Sequence, residues 1–124
     1  MITIKKPDYP PLIHNLSGES VQELLGIQAG GASSHSLARI VIPPGKGADP
    51  HFHKHSQESY LILAGRGALH INQSQFELHA GEAVLIEPME VHQISNPGDE
   101  DLVFLAVCVP AWQPGDSFEA DLPN

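Results

Sequence analysis

Glycine and proline divide this chain of 124 residues into short apolar segments, and that division limits the folds it can adopt. The sequence has eleven of each, and many stand in turn-forming groups such as Pro-Pro-Gly at 43–45 and Asn-Pro-Gly at 96–98. The apolar runs between the turns are roughly four to eight residues long, which suits β-strands and is short for helices. The sequence therefore predicts an all-β protein.

We predict eight strands along the chain. They cover residues 20–25, 35–42, 58–63, 68–71, 75–79, 83–86, 91–95 and 102–109. A helix is an alternative only for the first. Many short strands leave exposed edges, and small β-domains remove these edges by closing the sheet or by packing two sheets face to face. A single sandwich or barrel follows.

The length suits one domain, and no internal repeat is visible. We divide the domain into an N-terminal arm with a first strand (1–34), a barrel core (35–109) and a C-terminal arm (110–124). The arms are rich in proline and polar residues, yet they contain Tyr9, Trp112 and Phe118. We expect these aromatic residues to pack the arms against the barrel or a neighbouring subunit.

The charge of the chain disfavours two classes of partner. The formal net charge is −9, which disfavours binding to nucleic acid and to anionic membrane surfaces. No apolar run approaches the length of a membrane span, and no secretory signal is visible. The single cysteine, Cys108, lies in an apolar run and is predicted to be a buried thiol. We expect a cytoplasmic protein.

Three histidines stand at alternate positions of segment 51–55, and Glu58 follows them. In an extended chain, residues two apart project to the same side, so His51 and His53 can approach one point. His92 lies near the start of another predicted strand, and strand pairing could bring it to the same place. Imidazole nitrogen and carboxylate oxygen are ligands that borderline divalent metals accept. The sequence therefore predicts a metal site with these four ligands.

The spacing of glycines around the predicted ligands carries further information. Five residues separate Gly45 from His51, and one separates His51 from His53. Four residues then separate His53 from Glu58, and six separate Glu58 from Gly65. This pattern resembles the first motif of the cupin superfamily.

A second stretch is similar to the second cupin motif. Gly81 precedes His92 by eleven positions, and Asn96 follows His92 by four. The chain departs from the family in the intervening turn, where Pro-x-Gly is usual and this chain has Glu-Pro-Met at 87–89. The resemblance covers about residues 35–109. It implies a cupin-type jelly-roll β-barrel of two packed antiparallel sheets, with its site at the barrel mouth.

The resemblance implies the same four ligands, His51, His53, Glu58 and His92, around one divalent transition metal. Fe, Mn, Ni, Zn and Cu all accept such ligands. Six-coordination would leave two adjacent positions open for substrate oxygens.

Three further residues are candidates for the pocket around the metal. Tyr60 follows Glu58 by two residues, so it shares the side of Glu58 and could supply a hydrogen bond or a proton. Arg39, on the preceding strand, could neutralise a carboxylate. His55 fits a shifted register with His53, but that register leaves only two residues before Glu58. We therefore place His55 at the rim.

Three neutral imidazoles and one carboxylate leave a divalent metal with a charge of about +1, which attracts anions. We therefore predict a metal-dependent enzyme of the dioxygenase or isomerase type, acting on a small molecule such as a hydroxy acid, keto acid, enediol or sugar. The alternatives are a non-catalytic module that binds a small acid or sugar and a barrel with a vestigial site. The complete ligand set weighs against the vestigial site.

Two predicted strands, 83–86 and 102–109, are apolar on both faces. Such strands leave an outer surface that needs covering. The sequence therefore predicts a homodimer, with the N-terminal arm a candidate for packing on the partner.

Overall fold

The computed structural model describes residues 1–30 and 34–122. The predicted arms 1–34 and 110–124 thus include five residues, 31–33 and 123–124, that lie outside the described part. The strands are β1 (Ile13–His14), β2 (Ser20–Leu25), β3 (Ser36–Ile42), β4 (His51–Phe52), β5 (Gln57–Ala64), β6 (Arg66–Ile71), β7 (Ser74–His79), β8 (Ala83–Ile86), β9 (His92–Ser95), β10 (Leu102–Val109) and β11 (Phe118–Glu119).

These strands form two antiparallel sheets packed face to face, which confirms the predicted fold class. One sheet has six strands in the order β1-β2-β3-β10-β5-β8, and the other has five in the order β11-β4-β9-β6-β7. Within the described residues, helix is limited to two short 3₁₀ turns, Lys6–Asp8 and Pro114–Asp116. None of the helices in that part of the chain is long and apolar enough to cross a membrane.

All eight predicted strands are present, and their ends differ from the prediction by at most two residues. Segment Ser20–Leu25 is a strand and not the alternative helix. The sequence pattern missed β1, β4 and β11, each of which has two residues. A strand that short shows no periodicity, so only its pairing partner reveals it.

The buried core lies between the two sheets. Ile40, Ile62 and Phe104 point inward from the six-stranded sheet, and Leu69 and Ile94 point inward from the five-stranded sheet. Each is nearly inaccessible to solvent, and burying a side chain of this size stabilises the fold by about 1.5–3 kcal/mol. The core is one continuous cluster, so the sheets are expected to unfold together.

Strand register decides which inward-facing side chains stand next to one another at one end of the barrel. In the six-stranded sheet, Cys108 is paired with Ser36 of β3 and with Glu58 of β5. In the five-stranded sheet, His51 of β4 is paired with His92 of β9. Polar side chains of both sheets therefore meet at this end. Cys108 itself is buried, as predicted.

The C-terminal arm is held against the barrel. The ring of Phe118 stacks on that of Phe52 with centroids 5.3 Å apart, and the Lys54 ammonium lies 4.5 Å from the Phe118 ring centre. Closer to the start of the arm, the backbone N–H of Trp112 donates a hydrogen bond to Ser36 Oγ at 2.9 Å. These contacts bring the 3₁₀ turn of the arm to the end of the barrel where the polar side chains meet.

Candidate metal centre

The four ligands predicted from the sequence come together in the structure. His51, His53, Glu58 and His92 each offer one donor atom, and these atoms all lie within 4.8 Å of one another. His51 is half-buried and the other three are buried. Three imidazoles and a carboxylate at this separation form a cluster that could hold a divalent metal ion.

The three imidazoles share one orientation. In each ring Nδ1 faces a backbone carbonyl oxygen: that of Asp49 for His51 at 2.9 Å, of Asp116 for His53 at 2.8 Å, and of Glu90 for His92 at 2.9 Å. A carbonyl only accepts, so Nδ1 carries the proton in every ring. In the neutral ring, Nε2 is then left with its lone pair free to bind a metal.

Two of the Nε2 atoms converge on one oxygen of Glu58. Oε1 lies 3.1 Å from Nε2 of His92 and 3.4 Å from Nε2 of His53. The Nε2 atom of His53 is buried and has no hydrogen-bond partner among the described residues. A buried nitrogen without a partner is costly, and a bound cation would satisfy it. The residues present therefore fit a metal ion.

The electrostatics of the cluster point to a bound positive charge. Burial raises the pKa of Glu58, but the contacts with His53 and His92 outweigh it and hold that pKa far below its usual range. Burial lowers the pKa of His53, but Glu58 and Asp116 raise it further than burial lowers it. Burial and the neighbouring His92 lower the pKa of His51 to about 4. A buried carboxylate that stays ionised favours a positive charge beside it, and a bound metal ion would supply that charge.

Asp116, in the 3₁₀ turn of the C-terminal arm, holds the loop that carries His53. Its carboxylate accepts hydrogen bonds of 2.9–3.2 Å from the backbone N–H groups of Lys54, His55 and Ser56. Its own carbonyl orients the His53 ring. Burial raises the pKa of Asp116, but these N–H donors lower it further, to below its usual value. The sequence carries no signal for this role, because 63 residues separate Asp116 from His53.

Tyr60 lies where the sequence placed it, on the inner face of β5. It is 3% exposed, and its ring centre is 6.2 Å from that of His92 and 4.7 Å from that of Phe104. Burial, together with the negative charges of Glu58 and Glu19, raises the pKa of its hydroxyl well above the usual value. Tyr60 is therefore a neutral hydroxyl beside the cluster.

The other two pocket candidates lie outside the cluster. His55 is exposed, and its backbone N–H is bonded to Asp116. Arg39 is paired with Leu105 and alternates with the buried Ile40, so its side chain is on the outer face of the six-stranded sheet. The structure thus corrects the placement of Arg39 in the pocket, because the side of the sheet depends on a strand register that the sequence does not show.

Glu19 is a second carboxylate, close enough to the cluster for its charge to interact with those of Glu58 and His92, and no motif in the sequence marks it. It is half-buried just before β2, and its Oε1 accepts a hydrogen bond from Asn15 Nδ2 at 3.0 Å. Burial raises its pKa; the bond from Asn15 lowers it, and the charges of Glu58 and Asp49 raise it again, giving a net increase. A carboxyl group of raised pKa can hold a proton nearer neutral pH than an ordinary glutamate can.

The turn that precedes His92 forms without the glycine of the family motif. Met89 takes that place and adopts a left-handed backbone conformation with φ 72°. Its N–H donates to the His53 carbonyl at 2.7 Å, and the carbonyl of the next residue, Glu90, orients His92. A left-handed non-glycine residue costs about 1–2 kcal/mol. The strained turn therefore links two of the candidate ligands.

Several known proteins are similar to this chain in sequence and in fold. The family model described as Cupin domain matches residues 38–108. An uncharacterized protein of Methanocaldococcus jannaschii is 31% identical over 121 residues, which are 94% of this chain and 97% of that protein. The oxalate-binding protein of Thermotoga maritima is 34% identical over 104 residues, which are 81% of this chain and 86% of that protein. A crystal structure described as a predicted oxalate decarboxylase of Thermotoga maritima has a TM-score of 0.75 and 31% identity, and covers 88% of this chain and 99% of its own.

Proposed function

Because this chain belongs to the cupin family, we propose that it binds one divalent first-row transition metal through His51, His53, Glu58 and His92. The observation that carries the proposal is the buried Nε2 of His53, which has no hydrogen-bond partner in the described part of the chain and faces three other donor groups. Fe, Mn, Ni, Zn and Cu all suit this mixture of imidazole and carboxylate.

We further propose that the ligand is a small chelating anion of the oxalate class. A bound metal would act as a Lewis acid with a charge of about +1 and would accept two oxygens of such a ligand. The arginines described in the structure do not serve the cluster: Arg39 is on the outer face of its sheet, and Arg66 pairs with Glu77 on the surface. A bound metal would thus supply positive charge that neither arginine offers the anion, and a relative named an oxalate-binding protein supports this class.

Turnover of the bound molecule is the second candidate, and Glu19 is the observation that favours it. An enzyme of the dioxygenase or isomerase type needs a group that moves a proton, and Glu19 is a half-buried carboxyl with a raised pKa. Tyr60 adds a neutral hydroxyl beside His92.

One experiment separates these possibilities. Protein purified without a metal-affinity tag or chelator is analysed for bound metals and then titrated calorimetrically with oxalate, with and without metal. We expect about one metal per chain and oxalate binding only to the metal-loaded form. Equal oxalate binding by the metal-free protein, or none by the loaded protein, would overturn the proposed ligand. Oxygen consumption or product formation that is lost in Glu19→Gln would establish turnover, and its absence would leave a binding protein.

We also propose that two copies of the chain pair through the part of the outer face of the six-stranded sheet that β5, β8 and β10 form. The outward positions of β5, β8 and β10 carry no charged side chain, and Leu61, Leu63, Leu85 and Val109 are 39–52% exposed there. A chain with a net charge of −9 associates with itself most easily through an uncharged apolar face.

Light scattering during size-exclusion chromatography tests this dimer at micromolar concentration. Leu85→Glu puts a charge in the apolar face and is expected to give a monomer. Phe76→Glu is the matched control, because Phe76 is 51% exposed on the other sheet, and it should leave the dimer intact. A monomeric wild-type protein would contradict the proposal.

A further inference from the structure

The oxygen of Glu58 that faces away from the histidines is in contact with the thiol of Cys108. Cys108 Sγ lies 3.4 Å from Glu58 Oε2, while Oε1 faces His53 and His92. Both residues are at least nine-tenths buried, with Cys108 2% and Glu58 6% exposed. A carboxylate oxygen only accepts, so the thiol is the donor in this contact.

On the side away from Glu58, Cys108 lies next to Ser36. Ser36 is the strand partner of Cys108 on β3, just as Glu58 is its partner on β5, so the three side chains stand in one row across the sheet. Ser36 Oγ accepts a hydrogen bond from the backbone N–H of Trp112 at 2.9 Å, which fixes the serine beside Cys108. Cys108 therefore lies between a serine that is bonded to the C-terminal arm and the Oε2 atom of Glu58.

We propose that Cys108 is a positioning residue that occupies Oε2 of Glu58 and so leaves Oε1 alone to bind the metal. The inference rests on the proposed metal site. A carboxylate with both oxygens free can bind a metal through one or both, and binding through both takes up a second coordination position. By holding Oε2, the thiol keeps that position open for an oxygen of the bound ligand.

The test compares three substitutions in the full chain loaded with Co²⁺, whose visible absorption spectrum reports coordination number. Cys108→Ser keeps a donor at the same place and is expected to reproduce the wild-type spectrum and affinity. Cys108→Ala and Cys108→Val remove the donor and are expected to shift the spectrum toward higher coordination and to weaken Co²⁺ binding about tenfold. Thermal unfolding of the metal-free variants shows whether each one folds, and the alanine variant serves if valine does not fit.

The outcomes separate this inference from the proposed site. Wild-type protein that binds Co²⁺ while all three variants keep its spectrum and affinity would overturn the role of Cys108 and leave the metal site standing. Loss of affinity in Cys108→Ser equal to that in Cys108→Ala would also overturn it, because the hydroxyl would then fail to rescue. Wild-type protein that takes up no Co²⁺ would overturn the metal site and this inference with it.

Discussion

Replacing His53 or Glu58 with alanine is expected to lower the bound metal to well below one ion per chain. Each side chain is buried in the cluster, and each supplies a donor atom that water cannot easily replace in so closed a site. Glu58 also supplies the only negative charge among the four candidate ligands. The measurement is the metal content of purified protein, followed by the affinity for added metal.

The matched control is His55→Ala. His55 follows His53 by two residues and offers the same imidazole, but it is exposed and lies outside the cluster. Its backbone N–H bonds to Asp116 remain after the substitution, so metal content should stay near the wild-type value. Equal loss in His55→Ala and His53→Ala would show that the chain uses the shifted histidine register.

His53→Ala and Glu58→Ala should both destabilise the metal-free fold, but for different reasons. His53→Ala removes the imidazole whose Nε2 lies 3.4 Å from Glu58 Oε1 and leaves a buried carboxylate with less compensation, which is destabilising. Replacing Glu58 removes the buried negative charge itself but leaves His53 and His92 without it. We therefore expect both variants to lose stability even without metal, and thermal unfolding of the metal-free chains measures that loss.

Asp116→Ala is expected to cost the largest amount of stability of any single change in the C-terminal arm. The carboxylate accepts hydrogen bonds from three successive backbone N–H groups, and hydrogen bonds to charged groups contribute about 1.5–3 kcal/mol each. Allowing for solvent reaching some of the freed groups, we expect a loss of about 3 kcal/mol or more and a fall in melting temperature of about 10 °C. Because the arm also orients His53, metal affinity should fall at least about tenfold.

Asp116→Asn removes the charge of the carboxylate but nearly keeps the shape of the side chain. The pH dependence of stability then reports how much the charge contributes. The pKa of Asp116 is lower in the folded chain than its usual value, so its charge stabilises the fold above the unfolded pKa of about 3.9. That contribution is lost as pH falls through the folded pKa. The difference in stability between wild type and Asp116→Asn should therefore be full near neutral pH and should shrink below about pH 4. A difference in stability that stays constant from pH 3 to 7 would show that the charge of Asp116 does not stabilise the loop that it holds.

The fold class and the candidate ligands could be predicted from the sequence, because both depend on residues close to one another in the chain. Turns rich in glycine and proline depend on neighbouring residues alone, so they show where strands end whatever the strands pair with. Alternation of His51 and His53 is likewise a property of one extended segment. The spacing to Glu58 and His92 then matched a family pattern, and the structure brings these four donors within 4.8 Å of one another.

Strand register and the path of the arms decided which residues surround the candidate ligands. Arg39 turns outward, Cys108 reaches Oε2 of Glu58, and Asp116 holds the His53 loop from 63 residues away. None of these contacts follows from nearby sequence, because a shift of one residue in register moves every side chain of a strand to the other face. The residue types that could hold a metal are thus visible in the sequence, whereas the groups that orient them are set by packing two sheets and an arm together.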